Sequence, residues 1–230
     1  EAEVMNRRIS DDRFRITTGN TPVAIGIGSE YHRHIAVGAR NRASRRRRPE
    51  RVAIVTAAFL NERRPPPLYK LQDVHYLNWY ARLTSQLQSS GFEVIVKRHP
   101  KGLLADVKLL NSDVRELLNA PFEPTAIGAD AFIFDFAGSA FMEALCTDLP
   151  IVLVDLPVRR FNADTLADLG QACEILHAEF DDQNRVVVDS GELIEAINAP
   201  VKIDFRRQFV DHFLLEPSPD LSALDQAVRN

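Results

Sequence analysis

Residues 131–155 read AFIFDFAGSAFMEALCTDLPIVLVD, and two runs inside them, 131–134 and 151–154, are apolar on consecutive positions instead of alternating ones. Consecutive apolarity belongs to strands buried on both faces, as in a parallel sheet covered by helices on either side. Between the runs, Asp135 is followed by a turn at Ala137 and Gly138, then by a helix over 139–147. This strand–turn–helix–strand unit is the segment around which the chain is organised. Ligands of such sheets bind outside the carboxyl ends of the strands, which places Gly138, Ser139 and Glu143 near any site.

The same logic extends both ways. Residues 52–59 (VAIVTAAF) read as a buried strand, and the loop 60–71 holds Pro65–Pro67, which cannot sit in a helix interior. Asp73 N-caps a helix to Ser90, with Leu77, Tyr80, Leu83 and Leu87 on one face and Gly91 as its stop. Residues 92–96 (FEVIV) form the next strand, ending in Lys97, Arg98, His99 and Pro100. A helix is expected over 105–118 and another over 163–169. Residues 174–180 and 185–189 read as short strands, and Ser190 caps a helix to Asn198. Two helical pieces, 204–215 and 221–228, close the chain around Pro217 and Pro219. Strands alternating with helices predict an α/β fold, a Rossmann-like parallel sheet with helices on both faces. The expected organisation is a remnant of another domain plus an arginine-rich linker over 1–50, the Rossmann-like domain over 51–200 and a helical tail over 201–230.

Charge separates the first fifth of the chain from the rest. Residues 1–51 carry twelve arginines against six acidic residues, whereas residues 52–230 are net negative by ten. Seven of the arginines fall between Ala39 and Arg51. This segment reads first as a solvated linker, with phosphates of nucleic acid or an anionic membrane as the alternative partner. No aromatic residue interleaves it, so a base-stacking surface is not indicated. No run of about 18 apolar residues is present to span a bilayer. Two cysteines in 230 residues form neither a metal spacing nor a disulfide framework, and the setting expected is cytoplasmic.

Candidate chemistry gathers where two strands end. Lys97, Arg98 and His99 follow one strand, and Gly138 and Ser139 open the helix after another. In a parallel sheet both lie on one edge, where cations face a helix N-terminus with open N–H groups. That pairing describes a phosphate pocket. Strand alternation brings only one of Lys97 and Arg98 to it. His99 is placed to donate a hydrogen bond, or a proton, to a phosphate leaving group. Taken singly, each residue has a plainer reading: His99 as a capped strand end, Ser139 as an N-cap, Glu143 as a complement to the helix dipole. Other signals reduce to structure. Gly26 and Gly28 lack the third glycine of a dinucleotide fingerprint. His32 and His34 share a strand-like face without a third metal ligand. Trp79 and Tyr80 read as core, and Asp181 and Asp182 as a turn.

The residues V-K-R-H-P at 96–100, F-D-F-A-G-S-A-F-M-E-A-L at 134–145 and L-P-I-V-L-V-D at 149–155 resemble the C-terminal, donor-binding domain of GT-B glycosyltransferases. The likeness is greatest to the bacterial capsule and surface-polysaccharide group, which includes Kdo-transferring capsule enzymes, bacterial sialyltransferases and CDP-glycerol glycerophosphotransferases. The resemblance covers residues 51–200. It implies that His99, Pro100 and Ser139 hold the phosphate of a nucleotide-activated donor, that Glu143 meets the donor ribose, and that Thr56 meets donor phosphate. It implies a nucleotide-sugar or CDP-alditol donor, a glycan or lipid-linked acceptor, and no cofactor, and no metal is indicated because no D-x-D motif is present. The acceptor-binding domain of that family, with its acidic base, has no counterpart in residues 1–50, so a missing N-terminal domain or a partner chain is expected. Peripheral membrane contact would run through the arginine segment. Two other functions compete: a UDP-sugar epimerase of the same architecture, and a non-enzymatic α/β module that binds nucleic acid or anionic membrane through Arg40 to Arg51.

Overall fold

In the computed structural model, which describes residues 28–40, 48–59, 71–100, 107–110, 113–118, 120–158 and 161–215, the consecutive apolar runs are the centre of one sheet. Its strands are β1 (Arg51–Val55), β2 (Glu93–Lys97), β3 (Arg115–Leu117), β4 (Ala131–Phe134), β5 (Ile151–Asp155) and β6 (Glu174–His177). All neighbours pair in parallel, in the order β3-β2-β1-β4-β5-β6. All four residues of β4 are buried, as are the first four of β5. This is the Rossmann-type α/β sheet.

Helices cover both faces, so alternate residues of each strand enter two separate cores. On one face, Val52, Ile54, Val96, Ile133 and Val154 pack with Trp79, Leu83 and Leu87 of α2 (Asp73–Ser89) and Leu193 and Ile197 of α5 (Ser190–Asn198). On the other, Ala53, Ile95, Phe132, Phe134 and Leu153 pack with Phe141 and Leu145 of α3 (Ser139–Leu145), Leu169 of α4 (Ala163–Ala172) and Val210 of α6 (Ile203–Val210). Each fully buried side chain of this size contributes about 1.5–3 kcal/mol. Helix α1 (Glu30–Arg40) seats on this second face, and a π-helical turn (Asp211–Leu215) follows α6. The Ser29 N–H donates to the Leu214 carbonyl at 2.9 Å, and Arg33 donates to the Leu215 carbonyl at 2.7 Å.

Several elements depart from the sequence reading. The helix expected over 105–118 is absent from its described part, where β3 stands instead. The Glu116 carboxylate accepts from the Leu109 and Leu110 N–H groups at 3.1 and 2.9 Å, which diverts those donors from helix bonds. His32 and His34 lie on a helix rather than a strand, two residues apart and therefore on different faces. Helix caps sit one residue earlier than expected, at Gln72, Gly138 and Asp189, so Ser139 is the first helical residue rather than the cap. The strand expected over 174–180 divides at Ala178 into β6 and β7 (Glu179–Phe180), and β7 pairs antiparallel with β8 (Val186–Val187). Trp79 and Tyr80 are core residues, and the Asp181 carboxylate accepts from the Gln183 and Arg185 N–H groups within a turn. The β-prone run 21–27, Arg42, Arg45–Arg47, the proline triplet and the expected helix 221–228 lie outside the described residues. Among the described residues no helix is long and apolar enough to cross a membrane.

Candidate functional site

The strand order reverses direction between β1 and β4, and at that point the loops after the two strands diverge to opposite faces. A cavity of about 330 Å³ opens at the carboxyl edge there. Its lining includes Thr56 after β1, Lys97, Arg98, His99 and Pro100 at the end of β2, and Gly138 and Ser139 at the start of α3. Seven of the eight residues singled out in the sequence thus meet around one space. Aromatic side chains make up much of the remaining wall: Tyr76, Phe122, Phe134, Phe136 and Phe141.

The two cations differ in what they are free to do. Arg98 lies beyond the last residue of β2, where strand alternation no longer holds, so both it and Lys97 reach the lining, against expectation. Its guanidinium is paired with the fully buried Glu116 carboxylate at 3.0 Å, donates to the Val107 carbonyl at 3.0 Å and lies 4.8 Å from the centre of the Phe59 ring. Lys97 is 1 % exposed, and its ammonium donates to the Arg98 carbonyl at 2.6 Å. No carboxylate pairs with it among the described residues. Burial, with a further push from Arg98, holds its pKa below the ordinary lysine range.

Backbone groups fix the rest of the rim. Thr56 N–H donates to the Lys97 carbonyl at 3.0 Å, and the Thr56 hydroxyl accepts from the His99 N–H at 3.4 Å, which ties the two strand ends together. The first internal bond of α3 runs from Met142 N–H to the Gly138 carbonyl, so the N–H groups of Ser139, Ala140 and Phe141 have no partner within the helix. The N-cap, Gly138, has no side chain to cap them. A Cβ at Gly138 would stand 2.7 Å from Cε1 of Phe136, so the half-open ring that folds back over the turn would have to swing aside.

Sequence reasoning missed a support beneath the rim. The Tyr80 hydroxyl accepts from Ala57 N–H at 2.7 Å, which joins α2 to the loop after β1. Burial, then the Asp135 charge, pushes the Tyr80 pKa well above its ordinary value, so the phenol stays protonated. Its position on the buried face of α2 was legible, but its reach to a loop 23 residues away was not.

Glu143 is the one expected residue that the fold does not bring to the cavity. One turn along α3 from Ser139, it is buried under α1, where its Oε2 accepts from the Tyr31 hydroxyl at 3.2 Å. Burial raises the Glu143 pKa, and the Tyr31 hydrogen bond partly offsets the rise. Tyr31→Phe is therefore expected to raise it further, as read by NMR titration of the carboxyl carbon. A carboxyl whose folded pKa is raised loses stability as pH climbs from its unfolded to its folded pKa. The variant should accordingly show a steeper decline in stability above pH 4.

No group of three or more His, Cys, Asp or Glu side chains suited to a metal ion occurs among the described residues.

No protein-family model and no curated protein matches the chain. Solved structures with a similar layout include E. coli ADP-heptose LPS heptosyltransferase II, at 18% identity over 83% of this chain and 55% of that one, with a TM-score of 0.42. The glycosyltransferase of kitacinnamycin matches at 18% identity over 78% of this chain and 43% of its own, with a TM-score of 0.41. The β-Kdo 2,4-transferase KpsC of Thermosulfurimonas dismutans matches at 15% identity over 78% and 62%, with a TM-score of 0.38. The chain spans about half the length of these structures.

Proposed function

We propose that this chain is the donor-binding half of a GT-B glycosyltransferase that transfers a sugar, or an alditol phosphate, from a nucleotide-activated donor in bacterial surface-polysaccharide synthesis. The observation that carries the reading is Lys97, a buried residue in the lining of a cavity, whose ammonium is answered among the described residues by a single carbonyl. A buried charge without a counter-charge costs several kcal/mol, and a ligand phosphate supplies that counter-charge. The open N–H groups of α3, the Ser139 and Thr56 hydroxyls and His99 surround the same space with further donors.

In this reading the residues act on the leaving group. As the bond from the anomeric carbon to the donor phosphate lengthens, negative charge grows on the departing oxygen. Lys97 and the start of α3 line the same cavity before any ligand arrives, so little reorganisation is needed. His99 donates a hydrogen bond or a proton there. Arg98 serves through Glu116 as a strut for the rim instead of as a phosphate ligand. A donor ribose that reaches Glu143 would have to replace the Tyr31 hydroxyl. The acceptor and the base that activates it belong to a domain or chain beyond this one, and the setting proposed is the cytoplasm or the inner face of its membrane. The capsule and surface-polysaccharide assignment rests on the motif resemblance.

A thermal-shift panel of CMP, CDP, UDP and GDP tests the reading. The cognate diphosphate should stabilise the folded protein by about 2.7 kcal/mol at a hundredfold excess over Kd. His99→Ala should unfold as the wild type does and lose about tenfold in affinity, the worth of one hydrogen bond to a charged group. Unchanged nucleotide affinity in that variant removes His99 from the site.

A further inference from the structure

Lys97 is not the only polar residue that ends a strand on the α3 side of the sheet. Along β5, Ile151 and Leu153 enter the core on that side, and the next position of the same parity is Asp155. Along β6, Ile175 faces that core and His177 follows it. Asp155 and His177 are register partners at the carboxyl ends of adjacent strands, with Nδ1 of the imidazole 3.1 Å from Oδ2 of the carboxylate. A carboxylate only accepts, so Nδ1 carries the proton and Nε2 of the neutral ring is an acceptor. The imidazole is 68% exposed and the carboxylate 14% exposed. The second carboxylate oxygen, Oδ1, is buried without a hydrogen bond. A carboxylate held inside the protein in this way fixes the exposed imidazole in one orientation at the strand ends.

The register fixes where this pair stands. Lys97, Val55, Phe134 and Leu153 share one row across the sheet, and Asp155 lies two residues farther out along β5. Strands are spaced by about 4.8 Å and rise by about 3.3 Å per residue, so the pair stands on the order of 10 Å from the turn that opens α3. That is the length of a phosphate group and the ring attached to it.

We propose that Asp155 and His177 form a second recognition point on this edge, which takes a hydroxyl of the ring that the phosphates carry. The inference rests on the phosphate reading of the cavity. Asp155 orients the imidazole, and Nε2 accepts the hydroxyl hydrogen. The ring is either the ribose of the nucleotide or the glycosyl group at the other end of the diphosphate, since both offer the same hydroxyl chemistry.

Titration calorimetry with inorganic pyrophosphate, UDP and glucose 1-phosphate, on the wild type, His177→Ala and Asp155→Asn, tests it. Pyrophosphate should bind all three proteins alike. One of the ring-bearing ligands should bind about five- to tenfold more weakly to both variants, the loss expected for a hydrogen bond. A loss with UDP places the ribose there, and a loss with glucose 1-phosphate places the glycosyl group. If wild type and His177→Ala bind pyrophosphate and both ring-bearing ligands equally well, the inference fails while the phosphate site stands. A wild type that binds no pyrophosphate overturns both.

Discussion

Lys97→Met should make the ligand-free protein more stable and at the same time weaken its grip on a nucleoside diphosphate about a hundredfold. The two effects have one origin. In the ligand-free protein the ammonium has lost its hydration and regained, among the described residues, only the Arg98 carbonyl. A thioether of similar length fills the same space without a charge to desolvate, a change worth about 1–3 kcal/mol in favour of the fold. With phosphate bound the balance reverses, because truncating one partner of a buried charge pair costs about 2–5 kcal/mol. The pH dependence has a definite sign. Burial depresses the lysine's folded pKa below the ordinary 10.5, so the unfolded chain binds more protons in the interval between the two. The wild type therefore gains stability as pH rises through that interval. The methionine variant lacks the gain, so its advantage is full below the lysine's folded pKa and disappears toward pH 10.5. Chemical denaturation at several pH values, paired with calorimetry, reads both effects. A variant less stable than the wild type yet equal in affinity would make Lys97 a strut and remove the observation on which the function rests.

Arg206→Ala should cost about 3–5 kcal/mol of stability without touching the site. Arg206 is buried, and its guanidinium donates to the carbonyls of Ala172, Thr147 and Leu149. One side chain thus joins α6 to the end of α4 and to the connection between α3 and β5. Each buried carbonyl left without a donor costs about 1–3 kcal/mol, and the losses are partly shared through relaxation. Desolvation pulls the guanidinium down to about 10, so it stays charged at neutral pH. Cys173, beside it, has its thiol pushed up to about 12 by burial. The loss should appear as a lower urea midpoint with an unchanged slope. Arg206→Lys should restore only part of it, since a single ammonium cannot span three carbonyls held by a planar fork. Nucleotide affinity measured well below the midpoint should match the wild type.

The sheet's inner strands were legible because they are buried on both faces, and that condition is written residue by residue in β4 and β5. The site's position followed, since it needs only the strand order and the turn at Gly138. Long-range pairing was not legible. Which of two adjacent cations is left for a ligand depends on Glu116, 18 residues past Arg98, in a stretch whose composition favours helix. The same carboxylate takes the Leu109 and Leu110 N–H groups away from helix bonds. Glu143 sat one turn from Ser139, as a site residue would, but its surroundings are set by Tyr31, 112 residues earlier in the chain. Asp155 and His177 escaped notice because neither means anything alone. Their meaning comes from being paired in register across two strands.

The bonds from Ser29 to Leu214 and from Arg33 to Leu215 bring together positions more than 180 residues apart. In topological terms the described unit is a loop that returns to its starting point, with the sheet strung between. A short linker joining residue 215 to residue 28 would close that loop without reordering a strand. New termini cut in the exposed Asp181–Asn184 turn would then yield a circular permutant with the cavity edge intact.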